Sequence, residues 1–121
     1  MSAPETPRRV KSYSAETGYT YQYVFHEIRK ARRGLSVGNE YVYLVSRDRK
    51  TSFPLTIFIG RDAARGWARG SGRDLTGTEE YAAAKMRLFQ ALDEEENLPD
   101  ARPDIQVDAA QLTALLARLD L

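Results

Sequence analysis

The chain has 121 residues, of which 42% are hydrophobic and 29% are charged, and its net charge is +1. This size and composition are typical of one globular domain with a modest hydrophobic core. Because the chain contains no cysteine, disulfides, thiolate metal sites and cysteine nucleophiles are excluded. The sequence begins without a secretory signal and has no run of about 20 apolar residues. We therefore expect a soluble, cytoplasmic protein without a membrane partner.

The small net charge hides an uneven distribution. Residues 1–75 carry 14 lysines and arginines against 7 acidic residues, whereas residues 76–121 carry 4 basic and 10 acidic residues. A basic half attracts anionic partners, and opposite charges on two halves of a chain also help two copies to align. Both a polyanion and a second copy of the chain are therefore candidate partners.

The N-terminal third is predicted to be a short tail followed by extended chain. Residues 1–11 contain two prolines and no periodicity, which predicts a mobile tail preceding a single domain over residues 12–121. Residues 12–28 are predicted to be extended, because aromatic residues recur at every second position from Tyr19 to Phe25, the alternation expected of a strand. The segment RKARRGLSVGN, residues 29–39, contains turn-forming residues and is predicted to be a wide exposed loop.

Two further strands are predicted over residues 40–46 and 51–60, joined by the turn RDRK. Phe53, Leu55, Ile57 and Ile59 form the most apolar row of the predicted sheet and should face the helices. Pro54 cannot donate a backbone hydrogen bond, so we expect the third strand to lie at an edge or to carry a bulge there. The three strands together predict an antiparallel meander.

The remainder of the chain is predicted to be helical. Asp62 is a candidate N-cap for a short helix, and Thr76 with Glu79 has the spacing of a capping box before a long apolar segment. Asp108 should cap a final helix in which leucines recur at helical spacing. The predicted fold class is α+β, with two to three helices covering one face of a three-stranded meander.

No group of residues has the pattern of a catalytic, cofactor or metal site. His26 is the only histidine, and its neighbour Glu27 should point to the opposite face of a strand. The acidic run from Asp93 to Glu96 is consecutive, so its carboxylates would fan out around a helix end instead of converging. We therefore expect a protein that is not an enzyme and has no cofactor.

The clearest candidate contacts for an anion or a nucleic acid are seven cations in the basic half. They are Arg29, Lys30, Arg32, Arg33, Arg61, Arg65 and Arg69. The last three recur at intervals of four, so on a helix they would form one ridge with Trp67 facing the core. The alternative interpretation is an ordinary solvated helix face. Glycine-rich phosphate-binding motifs are absent from this segment.

The tyrosines of the predicted strands are candidate interface residues. These aromatics are Tyr19, Tyr21, Tyr23, Tyr41 and Tyr43. The row that shares a face with the apolar third strand should be core, which would leave the other row open to a partner.

These patterns favour a small non-enzymatic binding or assembly module that forms a homodimer through its sheet. The first alternative is a binder of nucleic acid or another polyanion, because aromatic sheets with basic rims bind single strands. The second is an enzyme or small-ligand protein whose polar groups converge only on folding.

Overall fold

The computed structural model describes residues 9–95, 98 and 104–121. Within these residues there are five strands and three helices. In chain order they are β1 Lys11–Ser14, β2 Thr20–Arg33, β3 Ser36–Ser46, β4 Phe53–Gly60, α1 Arg61–Ser71, α2 Gly77–Glu94, β5 Asp104–Val107 and α3 Ala109–Arg118. The predicted tail, residues 1–11, lies largely outside the described residues, and Lys11 is the first residue of β1.

The α+β class is confirmed, but the sheet has five strands instead of three. Its order is β1-β2-β3-β4-β5; the first four strands are antiparallel and β5 runs parallel to β4. The extended segment predicted over 12–28 is divided by a turn, in which Gly18 has a φ of 97°. The short β1 therefore folds back on β2. Four-residue strands such as β1 and β5 carry too few side chains to produce a recognisable alternation.

The wide loop predicted over residues 29–39 is wrong. β2 and β3 continue through this segment and pair as far as Arg33 with Ser36, so that only Gly34 and Leu35 form the turn. Gly34 has a φ of 60° and Leu35 is not in the positive-φ region, the pattern of a type II′ hairpin turn. The cations of this segment are instead carried on alternating faces of a long hairpin.

The position predicted for the third strand, now β4, is also wrong. β4 lies between β3 and β5, and β5 pairs only with residues 56–59. Pro54 therefore lies beyond the end of β5, where a missing donor is tolerated. At the other end of β4 the backbones approach so closely that a Cβ on Gly38 would lie 2.2 Å from the carbonyl oxygen of Ile59.

All helices contribute to a core on one face of the sheet. The apolar row Phe53, Leu55, Ile57 and Ile59 is buried there, as predicted. Both tyrosine rows share this face, and their buried members are Tyr21, Tyr23, Tyr41 and Tyr43. The expectation that one row is open to a partner is wrong for these four residues. Tyr19, which is 43% exposed, lies under the guanidinium of Arg47 at 3.9 Å.

Two of the three predicted helix caps are confirmed. Thr76 and Asp108 each form a capping box, with Glu79 and Gln111 respectively. Hydrogen bonds from Arg73 and from the backbone of Thr76 lower the pKa of Glu79 to about 2. The predicted cap at Asp62 is wrong, because α1 begins one residue earlier, at Arg61, and its N-cap is Gly60 without a side-chain bond.

The acidic end of α2 contributes to tertiary structure. Asp93 accepts hydrogen bonds from the Tyr13 hydroxyl at 2.7 Å and from the backbone N–H of Glu16 at 3.0 Å. Burial and this bond raise the pKa of Tyr13 to about 12. Asp93 thus fastens the β1–β2 turn to α2, whereas Glu96 lies outside the described residues. None of the described helices combines the length and apolar character needed to cross a membrane.

Candidate functional site

A β-bulge determines where the cations of the hairpin point. Before it, Tyr23 and Phe25 face the helices; the pairing then shifts at His26, and Ile28 takes the position opposite Tyr41. Because one extra residue exchanges the two faces of a strand, every side chain beyond the bulge is reversed relative to a regular strand. Lys30 and Arg32 consequently lie on the helix side, whereas Arg29 and Arg33 lie on the outer face.

The two outer cations form an ion-pair network with a buried carboxylate. Glu40 is 4% exposed and accepts hydrogen bonds from Arg29 Nε and Arg33 Nη2. Arg33 also contacts Asp104 at 3.0 Å and lies 5.2 Å from the ring centroid of Phe58. Burial alone would raise the pKa of Glu40, but the bonds from both arginines outweigh it and lower that pKa. Arg29 and Arg33 therefore form ion pairs within the folded protein.

The inner cations converge on an open cavity of about 760 Å³. Lys30 and Arg32 from β2 and Arg61 from α1 line it together with Asn39 and Glu80. Among the described residues, no carboxylate forms an ion pair with any of these three cations. The cavity also lies beside the start of α1, whose N-cap Gly60 forms no side-chain hydrogen bond. Within the described part of the chain, the first backbone N–H groups of α1 therefore have no capping side chain. This arrangement has an excess of hydrogen-bond donors and of positive charge.

One carboxylate is fixed at the wall of this cavity. Oε1 of Glu80 accepts a hydrogen bond from the Tyr41 hydroxyl and another from Asn39 Nδ2, both at 2.7 Å. Burial and the bond to Glu80 raise the pKa of Tyr41. The cavity thus presents an oriented acceptor next to its cations.

Two smaller cavities continue the first along α2. A cavity of about 350 Å³ shares Asn39 with the 760 Å³ cavity. A cavity of about 230 Å³ in turn shares Phe25 and Tyr81 with the 350 Å³ cavity. We call these three cavities together the α2 groove. It extends along β2 from Tyr23 to Arg32, which pair with Val45 and Val37 of β3. At the usual rise of a strand, the span from Val37 to Val45 gives a length of about 27 Å.

The middle of the α2 groove is aromatic and apolar. The rings of Phe25 and Tyr81 meet edge to face with centroids 5.3 Å apart, and both side chains are partly buried. Ile28 is 49% exposed beside them. The groove therefore has unshielded ring surface between its two ends.

The far end of the α2 groove is again basic. Arg9, Lys11 and Lys85 line the 230 Å³ cavity with the three aromatic residues Tyr23, Phe25 and Tyr81. Lys85 Nζ lies 5.9 Å from the ring centroid of Tyr23. Cations thus stand at both ends of the groove with aromatic rings between them.

Other predicted site residues lie outside the α2 groove. Arg65 and Arg69 are exposed on α1 and continue the row that Arg61 begins, while Trp67 is buried as expected. His26 is exposed and is the extra residue of the bulge. In the part of the chain that the structure describes, no three His, Asp or Glu residues gather as metal ligands.

Several groove residues were missed in the sequence. Tyr81 lies in the apolar segment that follows the predicted capping box, and Arg9 and Lys11 lie in the predicted tail. Lys85 carried no signal of its own, because a single lysine on a helix is usually a solvated residue. Only the pairing of β1 with β2 brings Lys11 near α2, and no local pattern predicts that pairing.

Comparisons of this chain with protein-family models, with curated proteins and with solved structures found no match. The geometry of the α2 groove is therefore the basis for a functional proposal.

Proposed function

We propose that the protein is a non-enzymatic module that binds single-stranded nucleic acid in the α2 groove. The observation that carries this proposal is the order of groups along the groove, with cations at each end and aromatic rings between them. Proteins that hold single strands combine phosphate-binding cations with rings on which bases stack. A length of about 27 Å provides room for several nucleotides.

Each part of the groove has a role in this proposal. Lys30, Arg32 and Arg61 neutralise backbone phosphates, while Phe25 and Tyr81 contact bases. Glu80 offers a carboxylate acceptor to an exocyclic amino group, the kind of contact that carboxylates make with cytosine. The surface cations Arg65 and Arg69 extend the positive potential beyond the groove and speed the approach of the strand.

The proposal is tested by measuring the affinity of fluorescent oligonucleotides at several salt concentrations. Changing Lys30, Arg32 and Arg61 together to Glu should lower the affinity at least about 100-fold. It should also reduce the slope of log affinity against log salt by about 2, because each phosphate contact on a single strand contributes about 0.7.

A control variant makes the same change in charge at the opposite end of the sheet. Arg49, Lys50 and Arg118 are exposed and line none of the three cavities of the groove, and the β3–β4 turn lies at the end of β3 away from the 760 Å³ cavity. Changing these three to Glu should lower the affinity far less. Equal losses in both triple variants, or no binding by the unmodified protein at low salt, would contradict the proposal.

The aromatic part of the groove has its own test. Tyr81→Leu keeps an apolar side chain on α2 but removes the ring, and it should weaken single-strand binding by about tenfold while leaving the salt slope unchanged. A loss of affinity that comes with a smaller slope would instead show that Tyr81 acts through the phosphate contacts.

A homodimer formed through the sheet is the second candidate, and one observation favours it. β1 pairs only with residues 20–23, so the β2 edge from residue 24 to residue 33 has no strand partner among the described residues. Antiparallel pairing of two such edges about Ile28 would place Glu27 of one copy opposite Arg29 of the other. The bulge and the charges on this edge oppose such pairing, which is why it ranks second.

The dimer is tested by sedimentation across a range of protein concentrations. Edge pairing predicts a dimer at micromolar concentration that Ile28→Lys converts to a monomer. A protein that remains monomeric up to about 100 μM would exclude this second candidate at the concentrations that binding modules usually require.

A further inference from the structure

The Lys11–Lys85 end of the α2 groove places like charges close together without a counter-charge. Lys11 lies on β1 opposite Tyr23, Lys85 comes from α2, and Arg9 precedes β1. Within residues 9–95, 98 and 104–121, no carboxylate makes an ion pair with any of these three cations. The arginines Arg29 and Arg33 of the hairpin, by contrast, share the carboxylate of Glu40.

The proximity of the two lysines has an energetic consequence. Burial first, and then the neighbouring Lys11, lower the pKa of Lys85. The free protein therefore holds an ammonium group in surroundings that disfavour its charge. An anion placed between the two ammonium groups would reverse this effect, since it would attract both.

The walls of the pocket restrict which anion fits. Tyr23, Phe25 and Tyr81 supply aromatic surface around a cavity of 230 Å³. The ammonium of Lys85 lies 5.9 Å from the ring centroid of Tyr23 and 6.0 Å from that of Phe89. A compact anionic group attached to a planar ring would satisfy the cations and the rings together.

We propose that this pocket binds a phosphate monoester dianion of a molecule that also carries a planar ring, and that in a nucleic acid it receives the terminal phosphate of the strand with the terminal base against the aromatic walls. The second half of this statement rests on the proposed function, whereas the first half does not. A terminal phosphate carries nearly two negative charges at neutral pH, but an internal phosphodiester carries one. A pocket with two adjacent ammonium groups should therefore select the terminus.

Small ligands test the phosphate chemistry directly. Phenyl phosphate combines the dianion and the ring, inorganic phosphate lacks the ring, and methyl phenyl phosphate keeps the ring but has a single charge. By calorimetry we expect phenyl phosphate to bind about tenfold more tightly than either of the others. Equal affinities for all three, or no binding of phenyl phosphate at millimolar concentration, would overturn the proposal.

A pair of variants locates the binding. Lys85→Met keeps the apolar stem and should weaken phenyl phosphate binding at least about tenfold, whereas Lys30→Met at the other end of the groove should leave it unchanged. Without ligand, Lys85→Met should not lower the melting temperature, because it removes a repulsive contact. If both variants bind phenyl phosphate like the unmodified protein, the pocket is not the site.

Thermal unfolding supplies an independent readout. Phenyl phosphate at ten times its dissociation constant should raise the melting temperature of the unmodified protein by about 5 °C. Sodium chloride of equal ionic strength should not, and the rise should disappear in Lys85→Met. A rise of the same size in Lys85→Met would contradict binding between the two lysines.

Oligonucleotides separate this inference from the proposed function. A strand with a 5′ or a 3′ phosphate should bind about tenfold more tightly than the same strand with hydroxyl ends, and Lys85→Met should abolish that preference. If strands bind without any such preference, the terminal-phosphate assignment fails and the proposed function stands. If phenyl phosphate binds but no strand does, the pocket stands as a site for small phosphate monoesters and the proposed function fails.

Discussion

The two faces of the β2–β3 hairpin carry the same kinds of side chain and use them differently. On the outer face, Arg29 and Arg33 share the buried carboxylate of Glu40. On the inner face, Lys30 and Arg32 border an open cavity, and no described carboxylate pairs with them. The four cations fall within five consecutive residues, so composition cannot explain the difference. The difference arises because side chains alternate between the two faces of β2 and because Glu40 of β3 lies on the outer face.

The comparison separates cations that stabilise the fold from cations that remain available to a ligand. A cation next to a buried carboxylate completes a network whose disruption is expensive in free energy. A solvated cation without a partner adds little to stability and keeps its charge for an anionic ligand. This distinction depends on the bulge, since the two pairs would exchange faces if His26 were paired as a regular residue of β2.

Glu40→Gln should have the largest effect on the free energy of unfolding, measured in urea. It keeps the shape of the side chain but removes the charge that both arginines contact, and we expect a loss of about 3 kcal/mol at pH 7. Glu27→Gln, which affects only an exposed contact of Arg29, should lower stability by about 0.5 kcal/mol or less. Comparable losses would show that burial of Glu40 is irrelevant.

The effect of Glu40 should depend on pH in one direction. Its pKa in the folded protein is below the ordinary value of 4.5, so the native state binds this proton more weakly than the unfolded chain. The stabilisation is therefore present above about pH 4.5 and is lost as the pH falls below it. The difference in stability between the unmodified protein and Glu40→Gln should shrink over that range, and a constant difference down to pH 2 would contradict this account.

Arg33 and Arg29 should differ in their contributions, even on the same face. The Arg33 side chain is 21% exposed and contacts Glu40, Asp104 and Phe58, whereas that of Arg29 is 55% exposed. Changing Arg33 to Met should lower the free energy of unfolding by about 2 kcal/mol, and the same change at Arg29 should lower it by clearly less. Equal losses of stability in the two variants would indicate that Arg33 and Arg29 stabilise the buried carboxylate of Glu40 to the same extent.

Local patterns in the sequence predicted those parts of the fold that local interactions determine. The capping boxes at Thr76 and Asp108, the buried row of β4 and the burial of Trp67 each depend on residues within one element, and the structure agrees with them. The α+β class followed from the order of these patterns. Non-local pairing was the part that these patterns could not supply.

The missed features share this non-local origin. β1 and β5 are too short to show alternation, and β5 pairs with a strand that lies more than 40 residues earlier. The bulge at His26 reverses the faces that simple alternation assigns to the residues after it. The sequence therefore could not show which of the seven predicted contact cations form ion pairs within the fold and which line the cavity. The basic end of the α2 groove likewise forms because Lys11 of β1 and Lys85 of α2 line the same cavity, although they are far apart in the sequence.

The smallest effect on stability is expected from the inner pair, and it tests the comparison most directly. Because Lys30 and Arg32 have no ion pair among the described residues, replacing both with Met should change the free energy of unfolding by no more than about 0.5 kcal/mol. The same double variant should lower oligonucleotide affinity by at least about tenfold. A variant that loses stability without losing affinity would place these residues with Arg29 and Arg33 as part of the fold. A variant that loses affinity without losing stability would show that Lys30 and Arg32 contact the ligand and do not stabilise the fold.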